Sequence, residues 1–214
     1  MIFFRRECST GDNNLFVLLM NPYRKNVAQM LTVMLNDISF PKSARVLDFG
    51  AGDGWFASQI SAALPGANLR AVDVQKRPVT HYNVEIIESN GLSHEEAKSY
   101  DLAYAIDVLH HCKNPMESLA DLAQLTRGYL MIKDHVAFSR ADMLTLGILD
   151  EIGNRKFGIP SNYHYQKSWE WEEMLLRSGW QKIQKLWPAP CHTGILGRWT
   201  NRLQYVALYR SLNF

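Results

Sequence analysis

The chain has 214 residues, a net charge of +2, 47% hydrophobic and 21% charged residues, a globular mix that excludes a disordered polymer. Its longest strongly apolar run, Leu15 to Met20, is too short to cross a bilayer, and Met1 to Arg6 lacks the pattern of a secretion signal. Cys8, Cys112 and Cys191 are odd in number and widely spaced, which excludes a disulfide framework or a CxxC metal pair and makes a reducing cytoplasm the expected location.

The first forty residues read as a helical lead-in, with Val27, Met30, Leu31, Met34 and Leu35 at helical spacing. Pro41 ends that pattern. Arg45 to Phe49 is a short buried strand, followed by the turn Gly50 to Gly54 and a helix with Phe56, Ile60 and Leu64 on one face. Pro65 and Gly66 stop the helix, and Asn68 to Val74 forms a second strand. Val84 to Ile87 and Asp101 to Ile106 are the third and fourth strands. Pro115 opens a helix carrying Leu119, Leu122 and Leu125, and Tyr129 to Lys133 is the fifth strand. Such alternation predicts a doubly wound α/β domain, a parallel sheet with helices on both faces.

The rhythm breaks between Val136 and Gln166. This stretch is rich in Gly, Asn, Pro and Tyr, and residues 136–167 are read as a lid-like insertion over the site. A helix from Ser168 to Arg177 follows, capped by Gly179. Two closing strands, Gln181 to Leu186 and Leu203 to Arg210, flank a loop with Pro188, Pro190, Gly194 and Gly197. The whole chain, 1–214, is expected to be a single domain.

Charge is unevenly placed. The last 41 residues carry six basic side chains and no acid, whereas the first 173 hold 17 basic and 21 acidic ones. Five of the six Trp lie from Trp169 onward. This is either a basic face balancing an acidic one or a surface for an anionic partner such as a phosphorylated substrate, an acidic membrane surface or nucleic acid.

The run Asp48-Phe-Gly50-Ala-Gly52-Asp-Gly54 lies between a buried strand and an amphipathic helix. Alternate glycines let the backbone turn sharply and approach a ligand. Asp73, ending the next strand, can accept hydrogen bonds from both hydroxyls of a ribose. Trp55 stands where the dinucleotide fingerprint needs its third glycine, which argues against NAD. Asp48, two residues before the first glycine, suits a cationic amino-acid ligand.

This turn, with Asp73, resembles the first two motifs of the class I S-adenosylmethionine-dependent methyltransferases. The stretch from Tyr100 to Pro115, with Ala105-Ile-Asp-Val-Leu-His-His111, is similar to that family's fourth strand and following loop. The resemblance implies a Rossmann-like sheet of seven strands, the last antiparallel, and S-adenosylmethionine as cofactor with S-adenosylhomocysteine as product. It also implies that Gly50, Ala51 and Gly52 pass along the cofactor's amino-acid portion, with Asp48 near its ammonium. Asp73 would hold the ribose, Val74 beside it joins the cofactor set, and Ile106 and Asp107 would line the methylthio end. Asn90 stands where the family often has an Asp facing the adenine amino group; its amide can still accept and donate.

Acceptor chemistry is expected at the carboxyl ends of the strands. His135, after the fifth strand, is a candidate general base with Asp134, the alternative being a capping Asp134 and a satisfied loop histidine. His110 and His111 are read mainly as loop-packing residues. His111, with Tyr163 and His164 of the insertion, is a candidate for substrate contact. No ligand pair recurs at i, i+4, so no metal site is expected. No Asn-Pro-Pro-Tyr or Asp-Pro-Pro-Tyr ends the fourth strand, which counts against exocyclic-amine methylases. The expected reaction is therefore methyl transfer to a small-molecule acceptor, with oxygen preferred over nitrogen or carbon. The alternatives are an RNA or DNA methyltransferase using the basic, Trp-rich tail, and a non-catalytic regulator that binds the cofactor or nothing.

Overall fold

The structure is a computed structural model and describes residues 13–75, 85–88, 92, 95–154 and 162–213. In chain order it contains α1 (Asn13–Asn36), β1 (Arg45–Phe49), α2 (Trp55–Ala63), β2 (Asn68–Asp73), β3 (Ile86–Glu88) and β4 (Tyr100–Ile106). Then come α3 (Pro115–Leu125), β5 (Thr126–Ala137), α4 (Arg140–Asn154), β6 (Gln166–Lys167), α5 (Glu170–Arg177), β7 (Trp180–Leu186), α6 (Gly194–Thr200) and β8 (Gln204–Ser211).

The main sheet runs β3-β2-β1-β4-β5-β8-β7, and the two-residue β6 pairs with the far end of β5. β8 is antiparallel to both its neighbours, and the other pairings are parallel. This is the mostly parallel, Rossmann-like sheet with an antiparallel last strand that the sequence predicts. The strand order reverses between β1 and β4, and a crevice at the carboxyl ends of these strands is where an open α/β sheet binds its ligand.

Alternation along each strand divides the core into two layers. Leu102, Tyr104 and Ile106 of β4, Met131 of β5, and Val206 and Leu208 of β8 pack with Val27, Leu31 and Leu35 of α1 and Ile60 of α2. Ala103 and Ala105, Leu130 and Ile132, and Tyr205, Ala207 and Tyr209 face the opposite layer. There they meet Leu119 and Leu122 of α3 and Trp171 and Leu175 of α5. Burying a side chain such as Leu31 contributes about 1.5–3 kcal/mol. A one-residue slip of any central strand would exchange its two faces, so the register is strongly held.

Asn114 caps α3, accepting from the Glu117 amide, and Pro115 takes the first helical position as expected. α5 begins two residues later than the sequence suggests, because Ser168 and Trp169 adopt left-handed backbone conformations. Two larger differences concern the later connections. β5 continues four residues past Lys133, and nearly half of the expected 136–167 insertion is the regular helix α4. Its helical period is blurred in sequence: Leu144, Ile148 and Ile152 are exposed while Leu146 is buried, and Gly147 and Gly153 lower the local propensity. The loop between the closing strands likewise contains α6, whose two glycines read as turn residues.

α4 is fastened at its start. The Ser139 hydroxyl accepts from the Asp142 amide, and the Asp142 carboxylate accepts from the Phe138 amide and from Arg202. Burial opposes the charge on Asp142, but Arg202, Ser139 and the Phe138 amide outweigh it and hold the carboxyl below its usual range. Asp142 thus adds stability fully present above its unfolded value near ~4 and lost as pH falls through the lower folded value. Asp142→Ala is expected to cost about 1–3 kcal/mol in urea unfolding near neutral pH. The gap to the parent should shrink on acidification; an equal cost at every pH would refute the linkage.

Candidate active site

The glycine turn is built as the sequence implies. Gly50, Gly52 and Gly54 all have positive φ, at 81°, 61° and 79°. The Gly50 and Ala51 amides donate to the Val72 carbonyl, which ties the turn to the end of β2. Gly50 also abuts Val108, and a Cβ there would lie 2.1 Å from a Val108 methyl carbon. Asp73 accepts from the Gly52 amide at 2.7 Å and from the Gln75 amide at 3.0 Å.

Two cavities open on either side of this turn, sharing Gly50 and His111. The first, about 700 Å³, has apolar walls of Phe49, Val72, Val74, Leu92 and Val108, with Asp73 at its edge. Apolar walls beside a carboxylate suit a purine and its ribose, and Lys113, Asn114, Glu117, Ser118 and Asp121 add polar lining. The second, about 200 Å³, is lined by Ala51, Gly52, Ile106, Asp107 and His135, among others. The donor set therefore fits a nucleoside carrying a polar amino-acid tail across the turn.

Asp48 is placed differently from the expectation. It lines neither cavity and is enclosed beside Tyr104 on the neighbouring strand, with one oxygen lacking a hydrogen-bond partner among the described residues. Burial pushes its carboxyl up to about 8; Tyr104 works against that rise and Asp73 adds to it. Asn90 lies outside the described residues.

Residues unmarked by any sequence signal complete the second cavity. Lys133 is fully buried, and its ammonium donates to Asp107, to the Tyr23 hydroxyl and, at 2.8 Å, to Gln204. Tyr23 in turn donates to Asp107 at 2.6 Å. Burial opposes both charges, yet Asp107 raises the lysine and Lys133, followed by His135, lowers the carboxylate, so the pair stays ionised. Arg24, on the same helix as Tyr23, pairs with Asp53 of the glycine turn at 2.7 Å. The lead-in helix is thus part of the site wall, a role its apolar periodicity does not reveal.

Asp134 points to the opposite layer from Lys133. It is fully buried and accepts from His110 Nδ1 at 2.6 Å and from the Leu109 amide at 3.1 Å. Burial opposes its charge, but His110 and then His135 hold it well below the usual carboxylate range, and Asp134 in turn keeps His110 protonated far above the usual range. Asp134 is therefore a buried anchor for the loop after β4, and not a helix cap. His135 lines the second cavity with Nδ1 3.2 Å from Asp134. Burial and then Lys133 lower its pKa, so its imidazole is neutral at pH 7.

The three expected substrate contacts separate. His111 sits where the two cavities meet. Tyr163 and His164 line neither: the Tyr163 hydroxyl bonds Glu151, and His164 Nδ1 donates to the Cys112 carbonyl at 2.9 Å. Tyr163 thereby fastens the segment after α4 to α4 itself, and His164 fastens it to the turn at 110–112. The spacing argument against a metal set also needs correction, because His110 and His111 converge with Asp150 of α4, and His110 with Asp134 and His135. Asp150 was invisible as a partner because it lies 39 residues along the chain. Removing one half of a buried pair leaves the other uncompensated, so Lys133→Ala should cost about 3–5 kcal/mol. A denaturation midpoint within error of the parent would contradict the buried hub.

A family model described as a methyltransferase domain matches residues 21–196. No curated protein matches the sequence. Among solved structures, the chain is similar to magnesium protoporphyrin IX methyltransferase from Synechocystis with bound S-adenosylhomocysteine. There the identity is 16%, the TM-score 0.66, and coverage 95% of this chain and 90% of that one. It is similar to an S-adenosylmethionine-dependent methyltransferase from Aquifex aeolicus, at 17% identity and TM-score 0.56, with 94% of each chain covered. It is also similar to the 4+2 cyclase SpnF, at 14% identity and TM-score 0.58, with 85% and 80% covered. At these identities the structural likeness establishes the fold, while the family model spans the turn, all the lining of both cavities but Gln204, and most of the chain. The chain belongs to the methyltransferase-domain family and is a class I, Rossmann-like S-adenosylmethionine-dependent methyltransferase.

Proposed function

We propose that this enzyme methylates a small-molecule acceptor at oxygen, with His135 as general base and the acceptor on the His135 side of the second cavity, beyond the cofactor's amino-acid portion. The observation that carries the reading is a neutral, half-enclosed imidazole on the wall of a small cavity next to the glycine turn. S-adenosylmethionine supplies a methyl group already activated on a sulfonium. The residues of this chain bind and align the reactants and remove the acceptor's proton. Asp73 would hold the ribose hydroxyls, Val74 and Val108 the faces of the adenine, and Gly50 to Gly52 the amino-acid portion, near Ile106 and Asp107. Asp134, accepting from His135 Nδ1, would fix the tautomer that leaves Nε2 as the proton acceptor.

A small acceptor is favoured over nucleic acid by how the basic tail is used. Lys182 and Lys185 pair with Glu172, Arg177 pairs with Glu173, and Arg202 pairs with Asp142. Lys185 also lies over the Trp169 ring, and Trp171 and Trp180 are buried. These charges and rings support the folded chain, which leaves less of them for phosphates and bases. Among the described residues no helix is long and apolar enough to cross a membrane.

In calorimetric titration the parent should bind S-adenosylmethionine and not NAD. Gly50→Ala should lose that binding, because the new methyl meets Val108 at a backbone angle suited to glycine. Asp73→Ala should weaken it by about tenfold or more, the loss of a hydrogen-bonded charge. Unchanged affinity in both would remove the proposed orientation. For the base, turnover of an identified hydroxyl acceptor is measured as S-adenosylhomocysteine release. His135→Ala should lower kcat by about 10²–10⁴-fold while leaving cofactor affinity intact. Full turnover in that variant would reject His135 as base, and turnover confined to amine, carbon or nucleic-acid acceptors would reject the oxygen reading.

A further inference from the structure

His110 is the most enclosed of the site's histidines, at 1% exposure. Its Nδ1 is committed to Asp134 at 2.6 Å. Its Nε2 is buried and has no hydrogen-bond partner among the described residues. That nitrogen lies 3.5 Å from Asp150 Oδ1, and His111 Nε2 lies 3.5 Å from the same oxygen. One potential ligand atom from each of the three residues lies within 4.8 Å of those of the other two. The other Asp150 oxygen accepts from the Tyr165 hydroxyl at 3.3 Å, and the Tyr165 ring stacks on His110 with centroids 5.3 Å apart.

These distances have a simple meaning. Zinc binds imidazole nitrogen and carboxylate oxygen at about 2.0–2.2 Å in tetrahedral geometry, so neighbouring ligand atoms stand roughly 3.3–3.6 Å apart. Two of the three edges of the His110–His111–Asp150 triangle already have that length. The surroundings follow the pattern of a metal site too, where a ligating histidine gives its second nitrogen to a carboxylate that fixes its orientation. Asp134 does this for His110, and Tyr165 steadies Asp150.

We propose that His110 Nε2, His111 Nε2 and Asp150 Oδ1 form a three-ligand site for a divalent transition cation of the zinc type, with its fourth position open to the second cavity. All three residues line that cavity. A three-ligand set leaves one position for water or an acceptor oxygen. The cation takes the place of a proton on His110 Nε2, and Asp134 keeps the proton on Nδ1. The site links the loop after β4 to α4, so its occupancy would tie the two walls of the cavity together. It rests on ligand geometry and does not depend on the identity of the acceptor or on His135 acting as base.

The test is direct binding by the full chain. The protein is stripped with a chelator and titrated with zinc against a chromophoric competitor, and with cobalt(II), whose visible bands report tetrahedral nitrogen and oxygen ligation. One equivalent should bind, with cobalt bands of tetrahedral type. Asp150→Asn and His111→Gln should each weaken zinc by at least tenfold, while Cys112→Ser, which alters a neighbouring thiol outside the set, should not. Circular dichroism melts of the metal-free variants separate a lost ligand from a lost fold, and either of the two ligand variants suffices if the other unfolds. Absence of stoichiometric binding by the parent would overturn the proposal. So would unchanged affinity in the folded ligand variants, which would leave the cluster as a histidine bridging two carboxylates.

Discussion

The site depends on a lysine kept charged where no water reaches it. Lys133, within β5, is the centre of a network that crosses the sheet, with its ammonium shared by Asp107 after β4, Tyr23 of α1 and Gln204 of β8. Taking an ammonium and a carboxylate out of water costs several kcal/mol per ion, and only close, multiply bonded geometry offsets it. That requirement draws three elements far apart in sequence onto one point at the carboxyl edge of the sheet. α1 is held across the cleft by the same point, with the Arg24–Asp53 pair as a second fastening. Asp107 itself has a left-handed backbone, which aims its carboxylate back at the lysine.

Consecutive residues of β5 then divide the work by strand geometry. Side chains alternate between faces, so Lys133 meets the α1 layer and Asp134 the layer carrying the loop after β4. Each is a buried charge matched by one partner of opposite sign, Asp107 for the lysine and His110 for the aspartate. His135 follows at the cavity wall, between the two networks. Its neutrality is a consequence of that position: burial and the nearby lysine cation both disfavour a second positive charge. The neutral state of this imidazole is set by its neighbours and not by the histidine alone.

The same framework supports more than one chemistry. Structures similar in fold to this chain include methyltransferases and a cyclase, so the fold alone does not fix the reaction. In this chain the second cavity is walled by residues of the glycine turn, α1, the 107–111 loop, α4 and the start of β8. In the basic closing segment, Arg177, Lys182, Lys185 and Arg202 pair with Glu172 and Glu173 just before it and with Asp142 of α4, so much of its charge asymmetry in sequence is balanced within the fold.

β1, β2 and β4 were legible because each is a short apolar run ended by a carboxylate or glycine, and α3 because Pro115 marks its start. The glycine turn and Asp73 were legible for the same local reason: backbone angles and a strand-ending acid need no distant partner. The helix α4 and the contacts of Tyr23, Lys133 and Asp150 were not, because their apolar period is blurred or their partners lie tens of residues away. The sequence by itself determined the alternating α/β order, the cofactor turn and the membership of one broad enzyme family, all properties encoded within a few neighbouring residues. Only the tertiary structure decided that Asp48 is enclosed, that Tyr163 and His164 line neither cavity, and that Asp150 meets two histidines. Such decisions rest on which faces of distant elements are buried together, and no local pattern carries that information.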